Sequence, residues 1–260
     1  MTVVETRPGV GDLLKAWRTK RRLSQFDLSL QADISTRHLS YVETGKSKPS
    51  KAFLLHLAEH LSVPLRGRND LLVAAGYAPM YTETDLGSPE MAQVNLALDL
   101  VLGHQEPFPA IVVDRGWNLV RANDGARLLM EDVDRDLLPN IIRLSLHPDG
   151  LAPRFLEFEL LAGHLVSRLR RQVALTGDPV VAELVDEVTR YPDVPAHEPW
   201  TDHPGVVLPV RLRTSRGVLS FFTTAATFGT ASDVTLSELT VECFFPADDE
   251  TRDALASPHA

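Results

Sequence analysis

The sequence contains a single cysteine and no long apolar run. One thiol cannot form a disulfide within the chain, and the strand-like neighbours Val241 and Phe245 predict that Cys243 is a buried thiol, not a nucleophile. A membrane-spanning helix needs about 18 or more consecutive apolar residues, so we expect none. The first residues, MTVVETRPG, lack the basic and then apolar segments of a signal peptide. We therefore expect a cytoplasmic protein.

Lysine is missing from most of the chain, since the last of the five lysines is Lys51. Residues 1–80 contain twelve lysine and arginine residues against seven acidic ones, a net charge of +5 in a chain of net charge −9, which leaves −14 for residues 81–260. Phosphate contacts need local positive charge. This distribution predicts nucleic-acid binding by a basic N-terminal module attached to an acidic body.

The segment from Leu23 to Pro49 is typical of two short helices around a tight turn, followed by a basic loop. Ser35 is a residue type that caps helix N-termini, so the second helix is predicted to begin there. Leu39 and Val42 have the spacing of an inward face. The outward face then carries donors and acceptors that can contact base edges in the major groove: Thr36, Arg37, His38, Ser40 and Tyr41.

This segment resembles the helix-turn-helix domains of the lambda-repressor/Cro type, also called the xenobiotic-response-element family. Gln25 stands where that family has a glutamine that contacts phosphate and braces the recognition helix, and Glu43 begins the family's Glu-x-Gly. The resemblance implies that Arg18 pairs with Glu43. Asp33 replaces the usual turn glycine, but Asp tolerates the left-handed conformation better than most residues.

The predicted partner is therefore a double-stranded DNA operator. One recognition helix covers only a few base pairs, so we expect a homodimer that reads a palindrome with half-sites about one helical turn apart. We assign base contacts chiefly to Thr36, Arg37 and Tyr41. Gln25, Lys46 and Lys48 are assigned to phosphates. The complete candidate set is Gln25, Ser35, Thr36, Arg37, His38, Ser40, Tyr41, Lys46 and Lys48.

Helical patterns at 51–61 and 70–76 complete a five-helix, all-α domain over residues 1–78. Residues 79–90 are polar, with prolines and a glycine, and are predicted to be a linker. Residues 91–260 then show a helix, two strands joined by a turn at Arg115-Gly116, and Asn123 as a helix cap, which is how a PAS-like domain begins. Three later strands and a helical insert predict an α+β fold with an antiparallel sheet: strands at 206–214, 218–227 and 236–245, and helices at 153–176 and 179–191.

A narrower resemblance covers nearly the whole chain. The phrases STRHLSYVETGKSKPS, RLSLHPDGL and DVTLSELTVECFFPAD, in that order, are similar to the MmyB-like transcription regulators. That resemblance implies an N-terminal helix-turn-helix and a C-terminal PAS-like domain that binds a small apolar ligand, with a long-chain fatty acid as the best suggestion. No other cofactor is expected.

An acyl chain needs an apolar tunnel and one polar anchor. Aromatic and aliphatic residues at helical spacing, together with phenylalanines on the late strands, are the candidates for the tunnel, and His164, Arg168 or Arg171 for the anchor. The same aromatic residues could equally form plain core. The candidate ligand-binding set is Phe155, Phe158, Leu161, His164, Leu165, Arg168, Phe221, Phe222 and Phe244.

Two alternatives remain open. The protein could be a constitutive repressor whose second domain only dimerises, or the second domain could hold a haem or flavin. Candidate ligands for the latter are His147, His164, His197 and His203, which do not form a metal-spaced cluster in the sequence. No nucleophile elbow is present either, so we expect no enzymatic activity and no metal site.

Overall fold

The computed structural model describes residues 8–131, 133–195 and 209–256. It divides the chain into two compact units with the boundary between Glu83 and Thr84. The candidate ligands His197 and His203, and residues 206–208 of a predicted strand, lie outside the described residues. In the described part of the chain, no helix is long and apolar enough to cross a membrane.

The first unit is all-α, as the sequence predicts. Serine caps three of its helices: the side chains of Ser24, Ser35 and Ser50 each accept the backbone N–H three residues further on. The five helices are α1 (Val10–Lys20), α2 (Gln25–Gln31), α3 (Thr36–Glu43), α4 (Lys51–His60) and α5 (Leu65–Ala74).

The core of this unit holds α3 by its inward face. Leu39 and Val42 are fully buried and pack with leucines of the other four helices. Asp33, in the turn before α3, has a φ of 49°, the left-handed conformation expected there. The local sequence thus determines both the start of α3 and the face that it leaves exposed.

The second unit is α+β, and its fold is PAS-like, as predicted. Its five strands are antiparallel neighbours in the order β2-β1-β5-β4-β3. The strands are β1 (Ala110–Val113), β2 (Leu119–Ala122), β3 (Val210–Thr214), β4 (Gly217–Ala226) and β5 (Thr240–Pro246). The helices are α6 (Ala92–Gln105), α7 (Asp124–Leu129), α8 (Ile141–Leu146), α9 (Phe158–Thr176), α10 (Pro179–Val188), α11 (Val234–Ser237) and α12 (Asp249–Ala256).

Helices cover β1 on both of its faces. Ile111 and Val113 pack with residues of α8, α9 and α10, whereas Ala110 and Val112 pack with α6. All four residues of β1 are therefore buried. This explains why the strand is a continuous apolar run and does not alternate. The sequence did not predict that α6 packs on the face of β1 opposite α8, α9 and α10.

Two strands begin later than the sequence predicts. A turn at Arg115-Gly116 implies a second strand from Trp117, but Trp117 has a φ of 66° and belongs to the turn, so β2 begins at Leu119. The segment from Leu236 is helical to Ser237, and β5 begins only at Thr240. Cys243 is half-buried and not fully buried as expected. Burial raises the pKa of its thiol, and the negative charge of Glu242 raises it further.

Candidate DNA-binding surface and ligand cavity

The outward face of α3 presents a preorganised pair of side chains. Arg37 and Tyr41 are exposed and one helical turn apart, and Arg37 Nε donates a 3.0 Å hydrogen bond to the Tyr41 hydroxyl. The guanidinium lies 5.3 Å from the centre of the Tyr41 ring. Since this bond uses Nε, the terminal nitrogens Nη1 and Nη2 are left for other acceptors. Such a fork matches the two acceptors that guanine presents in the major groove.

The other candidate residues of α3 have mixed environments. Ser35 is exposed, and its hydroxyl caps the helix by accepting the His38 N–H at 3.4 Å. His38 is exposed but packs edge-on against Phe53, with 4.7 Å between ring centres. Thr36 and Ser40 are half-buried, and the Thr36 hydroxyl lies 2.6 Å from that of Ser29. The structure therefore brings Arg37, His38 and Tyr41 to the exposed surface and places Thr36 and Ser40 nearer the core.

A buried ion pair fixes the C-terminal end of α3. The Arg18 guanidinium donates to both carboxylate oxygens of Glu43, at 2.7 and 2.8 Å, and Gln25 Nε2 donates to the same carboxylate at 2.7 Å. The Glu43 side chain is only 2% exposed. The Arg18–Glu43 pair implied by the family resemblance is confirmed. Because Gln25 also bonds Glu43, it joins α2 to the recognition helix.

A cationic loop follows α3. Gly45 has a φ of 72°, a conformation that lets the chain turn away from the helix end. Lys46 and Lys48 are exposed, and their ammonium groups lie 5.8 and 5.6 Å from the ring centres of Tyr41 and Tyr77. Lys46 is thus held against the recognition helix, whereas Lys48 lies against Tyr77, which follows α5.

The second unit contains an apolar cavity of about 70 Å³. It lies on the side of the sheet that faces away from α6, because its walls include Ile111 and Phe244. Ser145 contributes the single polar side chain among the residues that line it. The lining residues are Pro109, Ile111, Ala126, Leu129, Met130, Ile141, Leu144, Ser145, Leu151, Phe155, Val210, Leu212, Phe221 and Phe244.

Three of the candidate ligand-binding residues lie on the cavity wall: Phe155, Phe221 and Phe244. Phe222 does not, because neighbouring residues of a strand point to opposite faces; it is 38% exposed and stacks on Phe245. Four candidates on α9 lie elsewhere in the unit: Leu161 is buried, Phe158 and Leu165 pack in its core, and His164 is half-buried.

Arg168, the candidate anchor, is already engaged. Its Nη2 lies 2.6 Å from Glu242 Oε1, and its guanidinium stacks 4.4 Å from the centre of the Trp117 ring. The pKa of the His164 imidazole is lowered by burial and, to a smaller extent, by the charges of Arg168 and Arg171. None of these three candidate anchors is among the residues that line the cavity, so Ser145 is its polar group.

Most of the cavity wall, including Ser145, was not predicted from the sequence. The missed residues come mainly from β1, α7, α8 and β3. The helix α8 (Ile141–Leu146) was not predicted at all. The other three elements were predicted, but their packing against one another was not. One available signal was the register of β4: Phe221 and Phe222 are adjacent, so only one of them can face the helices.

Two of the four candidate haem or metal ligands, His147 and His164, lie among the described residues. Among the described residues, no group of three or more histidine, cysteine or acidic side chains is close enough to hold a metal ion. His147 instead packs edge-on against Tyr191, with 5.0 Å between the ring centres.

Comparisons with known proteins agree with this two-part organisation. A family model described as the MmyB-like transcription regulator ligand binding domain matches residues 94–257, and one described as Helix-turn-helix matches residues 14–67. No curated protein matches the chain. The chain aligns at 14% identity and a TM-score of 0.29 with a solved structure titled "Structure of an RNA-binding Light-Oxygen-Voltage Receptor", covering 96% of this chain and 61% of that one. At that TM-score the likeness supports no conclusion about this chain.

Proposed function

Because the chain belongs to the MmyB-like transcription regulators, we propose that it is a homodimeric transcription factor whose binding to a palindromic operator responds to a long-chain fatty acid. Membership of this family establishes that the chain is a DNA-binding transcription regulator with a ligand-binding domain. The fatty acid, the dimer and the palindrome are our proposals. The observation that carries the ligand proposal is the cavity, whose lining is apolar except for Ser145.

The size of the cavity implies that its walls move when a long ligand enters. A cavity of about 150 Å³ holds benzene, so one of about 70 Å³ accepts only part of an acyl chain without rearrangement. Each buried methylene contributes about 0.8 kcal/mol, enough in total to offset the displacement of flexible wall residues such as Met130. A ligand that binds the opened state more tightly shifts the protein towards that state. In this way, a ligand that occupies the cavity changes the affinity of the protein for DNA.

The chemistry of the wall also constrains the head group. A carboxylate buried without a partner is costly, and Arg168 is engaged by Glu242. We place the carboxyl group of the ligand at Ser145, which is half-buried and offers a hydroxyl. The acyl chain then lies against Phe155, Phe221 and Phe244.

Native mass spectrometry of the purified protein tests the ligand directly. We expect about one fatty acid per subunit, released and identified after denaturation. Ala126→Leu should abolish its retention, because Ala126 is 2% exposed on the cavity wall and a larger side chain fills the space that the acyl chain needs. Overpacking costs about 1–3 kcal/mol of stability, so the variant is checked by thermal unfolding.

A matched control is Ala182→Leu, on α10 and outside the cavity wall, which should retain the ligand. Loss of ligand from both variants alike would contradict the assignment of this cavity. A wild-type protein that neither carries nor takes up hexadecanoic acid would contradict the proposal that the ligand is a long-chain fatty acid.

Arg37→Ala should relax base preference at one position of the operator and cost about 1–3 kcal/mol of binding free energy, because a bidentate contact to guanine is lost. The measurement is site selection from a randomised DNA library, followed by affinity for single-base variants of the selected site. Unchanged preference at every position would remove Arg37 from the base-reading set.

Lys48→Ala should weaken binding to all DNA sequences alike and flatten the salt dependence, because one phosphate contact is lost. Binding is measured over a series of salt concentrations with both the selected site and unrelated DNA. Lys51→Ala, another exposed lysine, at the first residue of α4, is the control for net charge. A salt slope equal to that of the wild type would show that Lys48 does not contact phosphate.

A further inference from the structure

Helix α6 is apolar on more of its surface than the second unit covers. Leu98 and Leu102 are buried against Ala110, Val112 and Val241 of the sheet. On the remaining surface of the helix, Leu96 is 61% exposed, Leu100 52% and Val101 45%. Single exposed apolar residues are normal on protein surfaces, but here three large ones lie within six residues of one helix. The exposed side of α6 therefore lacks a covering element within the described part of the second unit.

The exposed side has the spacing of a helix–helix seam. Gln93, Leu96, Leu100 and Gly103 follow one another at intervals of three, four and three residues, the pattern of paired helices. All four are exposed, and we call them the α6 seam. A Cβ added to Gly103 would meet nothing within 4 Å, so this glycine is not required by packing within the chain. It leaves room for a close approach by another helix.

The α6 seam is also poor in charge. The one charged residue of α6 is Asp99, and its carboxylate is paired with Arg121. The chain as a whole carries a net charge of −9. Two copies repel each other wherever acidic surfaces meet, so they associate most readily through a face without uncompensated acidic charge. The α6 seam is such a face.

We propose that the α6 seam is the surface through which a second copy of this chain binds. In a twofold dimer the same patch is used by both subunits, so Leu100 of one subunit lies close to its counterpart near the axis. This inference rests on the proposed homodimer, which the reading of two half-sites requires. The occupant is a second copy because the seam can pair with itself: Leu100 meets its counterpart, Gly103 leaves room for Leu96 of the second copy, and no uncompensated acidic charge opposes the contact.

Sedimentation velocity of the full chain over a wide concentration range tests the proposal. The wild type should sediment as a dimer of twice the 28.7 kDa chain mass. Leu96→Glu with Leu100→Glu should weaken dimerisation by about a hundredfold or more, because charges would be buried at the centre of the interface. Glutamate is a good helix former, and both positions are exposed, so thermal unfolding of the monomer should change little.

The control is Val73→Glu with Val180→Glu, which adds the same charge at positions that are 46% and 43% exposed on α5 and α10. These substitutions should leave the dimer intact. As a second readout, Leu100→Cys in a Cys243→Ser background should form a disulfide-linked dimer on mild oxidation, and Val180→Cys in the same background should not.

The possible results distinguish a failure of the proposed α6 seam from a failure of the proposed homodimer. A wild-type dimer that survives both glutamates, with no cross-link through position 100, would overturn the α6 seam and leave the homodimer standing. A wild type that stays monomeric at every concentration would overturn both. Dissociation by the α6 glutamates alone, together with the cross-link, supports the seam.

Discussion

Replacing Arg18 with alanine is expected to destabilise the first unit by about 3–5 kcal/mol, because it leaves a buried carboxylate without its partner. Arg18 makes two hydrogen bonds to Glu43 and a third, of 2.8 Å, to the carbonyl oxygen of Leu23. It therefore ties α1 to both the recognition helix and the turn before α2. Loss of DNA binding should follow, since α3 is no longer held in place.

Denaturant unfolding of the full chain, followed by a probe of the first unit, measures this effect. Arg18→Lys is the informative control: it keeps the charge but cannot form two parallel hydrogen bonds, so an intermediate loss is expected. A loss below about 1 kcal/mol for Arg18→Ala, the value of an exposed ion pair, would show that the pair does not hold the helix.

The same ion pair predicts a dependence on pH. Burial raises the pKa of Glu43, but hydrogen bonds from Arg18 and Gln25 and the charges of Arg18 and Lys15 outweigh burial, so the pKa lies below its ordinary value of 4.5. Its stabilising contribution is therefore complete above pH 4.5 and is lost as the pH falls through the lowered pKa. Acid unfolding of the first unit should set in below pH 4.5, and Arg18→Ala should move it to higher pH.

Asn123→Ala is expected to destabilise the second unit by at least about 3 kcal/mol, because it leaves several buried polar groups unsatisfied at once. Asn123 Oδ1 accepts from Ala110 N at 2.8 Å and Ala126 N at 3.0 Å, and Nδ2 donates to Phe108 O at 2.8 Å. The residue is 6% exposed, so water does not replace these bonds. One side chain thus joins β1, α7 and the segment before β1.

Asn123→Asp distinguishes the role of Asn123 as a hydrogen-bond acceptor from its role as a donor. Aspartate keeps the acceptor for both N–H groups, but it puts a buried carboxylate oxygen opposite the Phe108 carbonyl oxygen. A loss at least as large as that of alanine is therefore expected, although both N–H groups stay satisfied. Because Ala126 lies on the cavity wall, retention of ligand should fall in parallel with stability. An alanine variant that unfolds within about 1 kcal/mol of the wild type would contradict the bracing role, since each orphaned group alone costs about that much.

Local chemistry explains which parts of the fold could be predicted from the sequence. The capping roles of Ser35 and Asn123 and the left-handed turn at Asp33 depend on neighbouring residues only, and the structure has each of them. What Asn123 does beyond capping α7 was not predictable, because its other partners, Ala110 and Phe108, are brought to it by the tertiary fold.

The residues that line the cavity could not be predicted from their neighbours in the sequence. Arg168 has the helical position of an anchor, but Glu242 on β5 reaches it only through the packing of α9 on the sheet. Likewise, hydrophobicity alone does not distinguish Phe221 from Phe222; the register of β4 decides which of them faces the cavity.

We propose that a ligand in the cavity changes the affinity of the protein for DNA. The most direct test measures the dissociation constant for a selected operator with protein stripped of ligand and with the same protein reloaded with hexadecanoic acid, loading being verified by native mass spectrometry. We expect the dissociation constant to change by about fivefold or more, a typical allosteric coupling, and the change to disappear in Ala126→Leu. Equal affinity for the operator with the cavity verified as empty and as filled would contradict it.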